Sequence, residues 1–374
     1  MNTTTARRRS SQEEERFFVA SQWQLTWWKF RKHRLAMTAL PLLLAFYVVA
    51  LFAEFISPYQ PVTRFADYPN APPQRIRFVD GSGQLSLRPF VYALEQYRDP
   101  ETLRITYEAA RDQKIPILFF TKGEPYKLWG VFECEAHLFG TQGGPVFLFG
   151  TDRLGRDLFT RIIYASRTSL TIGLVGILLS LLLGMILGGI SGYFGGTVDV
   201  LVQRLIDLIR SLPSIPLWMG LAAALPRDWS TVKLYFGMVI VLSFIGWTDL
   251  ARVIRGKLLS LREEDFVMAA RLAGQRDFRI ITSHLIPSFM SYIIVSVSLA
   301  VPRMILAETA LSFIGLGLQP PAVSWGVLLQ DAQKIRAVAH QPWLVLIPCC
   351  FVVVTVLLFN FLGDGLRGAA DPYK

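Results

Sequence analysis

Residues 266–287 read FVMAARLAGQRDFRIITSHLIP: a small-residue helix, a glycine, a basic segment and a proline, set between two strongly apolar runs. Ser260 and Glu263 form an S-x-x-E pattern, which predicts a capping box at the start of this helix. Phe266, Ala269, Ala270 and Ala273 then recur at three- and four-residue spacing, which predicts one face almost bare of side chains. Gly274 stands where a helix end favours a residue free to take positive φ, and Pro287 suits the first turn of the next helix. A bare alanine face admits the backbone of another protein. A helix lying on lipid would carry larger anchors beside Phe266 and Leu272, so docking on a partner is the stronger of these two readings.

The flanks of this stretch decide the fold class. Of 374 residues, 52% are hydrophobic, and they cluster into runs of about 20, enough to cross roughly 30 Å of hydrocarbon. Six such runs lie near Leu35–Ile56, Leu170–Phe194, Leu201–Leu225, Leu234–Ile254, Pro287–Leu311 and Trp343–Leu362. The third is interrupted by Arg204, Asp207, Arg210, Pro213 and Pro216, so its first half reads as interfacial or bundle-facing. The expectation is an all-α polytopic membrane protein. The first run lies too far from the start, and lacks a small-residue cleavage site, to be a simple signal peptide.

Charge sets the expected topology. The net +10 would suggest nucleic acid in a soluble protein, but here the basic residues flank spans. Arg7, Arg8, Arg9, Arg16, Lys29, Arg31, Lys32 and Arg34 precede the first run, which predicts a cytoplasmic basic tail over residues 1–34. Six crossings return residues 252–286 to the same side, where arginine and lysine again exceed acids. Trp23, Trp27 and Trp28 are placed to meet the bilayer surface. Arg153, Arg156, Arg161 and Arg167 cut the other way and are read as an interfacial elbow touching headgroups.

Residues 57–150 have balanced charge, many prolines and no run long enough to span. Asp80-Gly81-Ser82-Gly83 reads as a hairpin turn, Asp99-Pro100-Glu101 as the start of a helix to about Asp112, and Ile115–Phe120 with Tyr126–Phe132 as strands. A small α/β extracytoplasmic insertion follows. In the second run, Gly184, Gly188 and Gly192 repeat at four-residue spacing, as small-residue packing faces do. The Gly192-Tyr193-Phe194-Gly195-Gly196 string reads as a tight turn.

The chemistry-bearing motifs are mostly missing. Gly256-Lys257 is followed by Leu258 and lacks the upstream glycine of a phosphate-binding loop, which argues against ATP hydrolysis by that route. The four histidines are scattered, the three cysteines imply no disulfide or metal cluster, and no convergent acid, base and nucleophile supports a membrane enzyme. Ionisable residues near spans are the remaining candidates, because hydrocarbon makes them costly. Glu308 with Arg303 reads either as an ion pair or as a lining or gating group. Asp207 with Arg204, and Asp249 with Arg252, read as boundary pairs, and Asp207 is kept as a path candidate.

Ala269-Ala270-Arg271, Gly274 and Ile286-Pro287 at this spacing resemble the EAA loop of permease subunits of bacterial binding-protein-dependent ABC importers. Gly150–Asp157 (GTDRLGRD), Leu311–Gly317 (LSFIGLG), Pro321 with Ser324-Trp325-Gly326, and Gly363–Arg367 (GDGLR) narrow the resemblance to the second permease of the dipeptide, oligopeptide and nickel family. It covers residues 23–56 loosely and 149–374 closely. Met268 stands where the family has glutamate, and Gly368 where aspartate is usual. Residues 116–130 (PILFFTKGEPYKLWG) resemble a subgroup with sugar and opine transporters.

The resemblance implies a six-helix type I importer bundle in the bacterial inner membrane, with both termini cytoplasmic. Its parts would be the first transmembrane helix at 35–56, the insertion at 57–150, a five-helix core at 151–366 with its coupling loop at 255–286, and a tail at 367–374. It implies a homologous second permease, two cytoplasmic ATPase subunits that hold ATP and Mg, and a soluble solute-binding protein outside, around a chain that binds no cofactor or nucleic acid itself. Glu264, Asp265, Phe266, Ala269, Ala270, Arg271, Gly274, His284 and Pro287 would couple to the ATPase. Peptides lead as solute over oligosaccharides or opines. A membrane receptor with an outer sensor domain is the rival class, but it would need an output domain, and only a short tail follows the last run.

Overall fold

The computed structural model describes residues 22–80, 83–98, 100, 105–226, 228–333 and 340–370. Helix α1 (Gln22–Lys32) carries Trp27 and Trp28; the basic residues before it lie outside the described residues. His33 Nδ1 accepts the Ala36 N–H and so caps α2 (Arg34–Leu51), which α3 (Ala53–Ile56) extends. After the insertion come α4 (Leu158–Phe194), α5 (Gly196–Ser211), α6 (Ser214–Ala223) and α7 (Thr231–Leu261). A broken stretch follows, made of α8 (Asp265–Leu272), α9 (Asp277–Ile280), a π-turn (Ile281–Leu285) and α10 (Ile286–Ser288). The chain closes with α11 (Met290–Ile314), α12 (Trp325–Asp331) and α13 (Trp343–Ala370).

Helices dominate because a backbone in hydrocarbon has no water to bond, and a helix satisfies its own N–H and C=O groups. Helices α2, α4, α7, α11 and α13 are long and apolar enough to cross a membrane. The third expected run is two helices, α5 and α6, bent by 86° at the break before Pro213, so the count is five or six depending on that pair. Their buried residues form one main core, from Leu43 through Ile172, Leu242 and Ile305 to Trp325 and Leu358.

Helices α4 and α7 touch backbone to backbone along the glycine repeat. A Cβ on Gly184 would stand 2.8 Å from Leu250 Cβ, one on Gly188 2.5 Å from the Ala251 carbonyl oxygen, and one on Gly192 2.9 Å from that of Arg255. Larger residues there would force the helices apart.

The insertion departs from expectation. It is an antiparallel meander of β1 (Arg77–Val79), β2 (Leu85–Arg98), β3 (Ile105–Leu128) and β4 (Phe132–Thr141), in that spatial order. Residues 105–112, expected to finish a helix, pair with β2 from Ile105↔Arg98 to Ala110↔Ala93. The Glu108-Ala109-Ala110 run favours a helix locally, but the cross-strand ladder overrides so weak a preference. Asp99 and residues 101–104 lie outside the described residues, as do Gly81 and Ser82 of the expected turn. The expected strand Ile115–Phe120 lies within β3, whereas the expected strand Tyr126–Phe132 is divided between the end of β3, the hairpin turn at residues 129–131 and the start of β4; the β3–β4 register shifts between Lys122 and Tyr126, around Pro125.

Two further expectations change. Ser260 lies inside α7, which continues to Leu261, so no Ser260–Glu263 capping box forms; Glu264 is the N-cap of α8 and makes no side-chain cap bond. The arginine elbow is not a headgroup surface. Arg161 is 1% exposed, Arg156 and Arg161 meet Asp152 and Asp331, and Arg167 forks onto Glu54 at 2.5–2.6 Å; Arg153 alone of the four is exposed.

Candidate functional site

Helix α8 is short and held by one face. Val267 and Ala270, three residues apart, bury against Ile254, Leu258, Ile280 and Leu285. Its C-terminus closes with Gly274 at φ +74°: the Gly274 N–H bonds the Arg271 carbonyl at 2.9 Å and the Gln275 N–H the Ala270 carbonyl at 3.1 Å. This reciprocal pair is the Schellman arrangement, which satisfies carbonyls that a helix end otherwise leaves open. Ala270 therefore belongs to the inner face, not to the bare outer face expected for it. The outward row is Phe266, Ala269 and Leu272, the last 88% exposed, with Phe278 of α9 beside it at 78%.

The last turn of α4 holds this element in place. Tyr193 donates its hydroxyl hydrogen to Asp277 Oδ1 at 2.5 Å, and the Arg271 guanidinium lies 5.1 Å from the Tyr193 ring centre. His284 Nε2 pairs with Gln275 Oε1 at 2.9 Å inside the π-turn. Pro287 lies in the first turn of α10, but the span itself begins three residues later at Met290. Glu264 and Asp265 are exposed at the start of α8, where carboxylates suit the helix dipole. Tyr193, Gln275 and Asp277 were not singled out from the sequence. The Gly-Tyr-Phe-Gly-Gly string is the local signal for Tyr193, and by composition it announces only a turn.

A second cluster centres on Glu308, fully buried in α11. Ser312 Oγ donates to Glu308 Oε1 at 2.8 Å, and Ser169 Oγ of α4 donates to Oε2 at 3.3 Å. Ser169 in turn accepts the Trp325 N–H, and Ser312 the Leu318 N–H. One carboxylate thus ties α4, α11, the 315–321 loop and α12 together. Gly317 and Gly326 press on Ser312, where a Cβ would come within 2.5 and 2.7 Å of its side chain. Arg303 is exposed and does not pair with Glu308; serines supply what an arginine was expected to supply.

Helix α5 carries ion pairs with exchanged partners. Arg252 bonds Asp207 at 2.5 Å, and Arg210 bonds Asp249. Both pairs cross between α5 and α7, in place of the expected neighbours Arg204 and Arg252. A third network sits on the GTDRLGRD string. Asp152 accepts the N–H groups of Leu154 and Arg156 and the guanidinium groups of Arg156 and Arg161. Asp157 caps α4 through the Thr160 N–H at 2.8 Å, and burial pushes its carboxyl up to about 7 against that bond.

Two family models match the chain. Residues 180–373 match the model described as binding-protein-dependent transport system inner membrane component, and residues 21–73 match the N-terminal TM domain of oligopeptide transport permease C. The chain is 44% identical over 229 residues to the oligopeptide transport system permease protein OppC of Escherichia coli (strain K12), covering 60% of this chain and 72% of that protein. It is 32% identical over 357 residues to the dipeptide transport system permease protein DppC of Lactococcus lactis subsp. cremoris (strain MG1363), covering 94% and 91%. A solved structure described as inward facing conformations of the MetNI methionine ABC transporter aligns at 15% identity and a TM-score of 0.44, over 57% of this chain and 97% of that one.

Proposed function

Because the chain belongs to the family of binding-protein-dependent transport system inner membrane components, we propose that it is one of two permease halves of an ATP-driven peptide importer. The single observation that carries this is the rigidly mounted α8–α9 element. Its inner face is packed into the bundle while Phe266, Ala269 and Leu272 stand exposed at three-residue spacing on α8 and Phe278 is exposed on α9. An apolar row on a fixed mount is suited to a groove in a cytoplasmic ATPase subunit. Two such subunits, holding ATP and Mg, would drive rigid-body alternation of the bundle.

In this reading both termini and residues 255–286 are cytoplasmic, in the inner membrane, and a homologous permease completes the path. The β1–β4 insertion and the 315–342 loop lie outside and receive solute from a binding protein. Glu308 acts by holding that loop to α4 and α11, while Arg303 and Asp207 remain candidates for the path. The names of the relatives favour peptides over oligosaccharides or opines, and a permease over a receptor.

Gly274→Val tests the coupling. A Cβ at 274 would meet no atom within 4 Å, so the substitution strains only the left-handed backbone, by about 1–2 kcal/mol or more for a branched residue. The expected result in the reconstituted importer is normal assembly with loss of peptide uptake and of binding-protein-stimulated ATPase. Normal assembly with normal uptake would overturn the assignment.

A further inference from the structure

The β3–β4 hairpin ends in a turn whose composition does not suit its backbone. Trp129 has φ +54° and Gly130 φ +76°, and the Val131 N–H bonds the Leu128 carbonyl at 3.1 Å. Positive φ at both central positions defines a type I′ turn, where asparagine, aspartate or glycine is favoured at the first position. A bulky residue there is a backbone outlier. The tryptophan is therefore kept for what its side chain touches.

It touches the end of the first span. Trp129 Nε1–H donates to the Leu51 carbonyl at 2.9 Å, and its ring lies 5.7 Å from that of Phe52. The hairpin runs back along the helix end toward the membrane: His137, nearer the base of β4, faces the Ser57 carbonyl, whereas the tip reaches Leu51. Six residues at about 1.5 Å each separate those helix levels, roughly 9 Å. Helix α2 has 18 residues, about 27 Å of rise against roughly 30 Å of hydrocarbon, so Leu51 lies near the edge of the apolar layer.

The tip is also apolar and open. Val131 is 72% exposed and Phe132 58% exposed, and Leu44, Val48 and Leu51, at four- and three-residue spacing on α2, are exposed as well; Leu51 is the residue whose carbonyl Trp129 bonds. One residue pair further from the turn, Lys127 and Glu133 form an exposed ion pair at 3.3 Å. An apolar end, a tryptophan at the boundary and charges directly behind them match the order of a bilayer surface, from acyl chains through the interface to headgroups.

We infer that the Trp129–Phe132 tip is inserted in the bilayer surface beside the first span, so that lipid holds the insertion down. The occupant is lipid because Trp129 ties the tip to the last turn of a helix long and apolar enough to cross a membrane, whose Leu44, Val48 and Leu51 are exposed. This goes beyond the importer reading, requiring only that α2 spans the membrane.

The test places a nitroxide at Val131→Cys, Glu133→Cys or Leu87→Cys, with Cys134, Cys349 and Cys350 replaced by alanine. The full chain, with its co-purifying subunits, is reconstituted in phosphatidylethanolamine–phosphatidylglycerol vesicles. Molecular oxygen concentrates in hydrocarbon, and a nickel chelate stays in water. The oxygen-to-nickel accessibility ratio is expected to be several-fold higher at 131 than at 87, a position 96% exposed on β2, with 133 between them. Equal nickel access at 131 and 87 would overturn the inference. Protection of 131 from both reagents would also overturn it, because a protein would then cover the tip.

Discussion

Gly188 and Gly189 are neighbours on α4, yet alanine at each is expected to act in opposite directions. Replacing a helical glycine by alanine ordinarily stabilises by about 1 kcal/mol. At Gly189 the new Cβ meets nothing within 4 Å, so that gain is kept. At Gly188 it would stand 2.5 Å from the Ala251 carbonyl oxygen, 2.8 Å from Cα and 3.0 Å from the carbonyl carbon. All three are backbone atoms of α7, so no side-chain rotation relieves the contact and the helices must part by about 1 Å to reach ordinary contact distance. Overpacking of this kind costs about 1–3 kcal/mol. The propensity gain is common to both variants and cancels in their comparison, leaving Gly188→Ala about 1–3 kcal/mol less stable than Gly189→Ala. Thermal unfolding of the two purified variants in one detergent, followed by tryptophan fluorescence, measures the difference. Equal midpoints, or Gly188→Ala the more stable, would refute the backbone contact between α4 and α7.

Arg161→Met should lower the yield of folded chain sharply, because removing one partner of a buried ion pair costs about 3–5 kcal/mol; adding Asp152→Asn should recover part of it, as read by the monodisperse fraction on gel filtration. Glu308→Gln should keep most of the stability, since its amide oxygen still accepts a serine hydroxyl. Glu308→Leu orphans Ser169 and Ser312 at about 1–3 kcal/mol each, and a thermal shift no larger than that of the glutamine variant would count against the network. Asp157 binds its proton more tightly folded than unfolded, from 3.8 up to about 7. Stability should therefore fall as pH rises through that window. Asp157→Asn keeps the cap and should flatten the slope of unfolding midpoint between pH 5 and 7.

Much of this architecture was legible from local pattern, because a membrane demands long apolar runs and small residues where helices touch. Pro213 and Pro216 announced the broken third span, and Gly274 the end of α8. What was not legible depended on partners distant in the chain. Ser169 lies 139 residues from Glu308, whereas Ser312, four residues on along α11, is a partner that helical spacing alone could have offered in place of Arg303. Asp331 reaches Arg161 across 170 residues. Helical spacing with Phe266, Ala269 and Ala273 puts Ala270 on the docking face, whereas packing in one cluster with Leu258 turns it inward. Residues 105–112 are expected to be helical from the Asp99-Pro100-Glu101 start signal upstream, and the β2 ladder makes residues 105–110 a strand instead.

The glycine contact between α4 and α7 has a mechanical consequence. Helix α7 is 31 residues long, about 46 Å, and α8 hangs from its end. Pressed along its length against a 37-residue partner, it resists bending as a two-ply beam would. A displacement imposed at the α8 end would therefore emerge at the far end of α7 as a tilt, with little lost to flexing between.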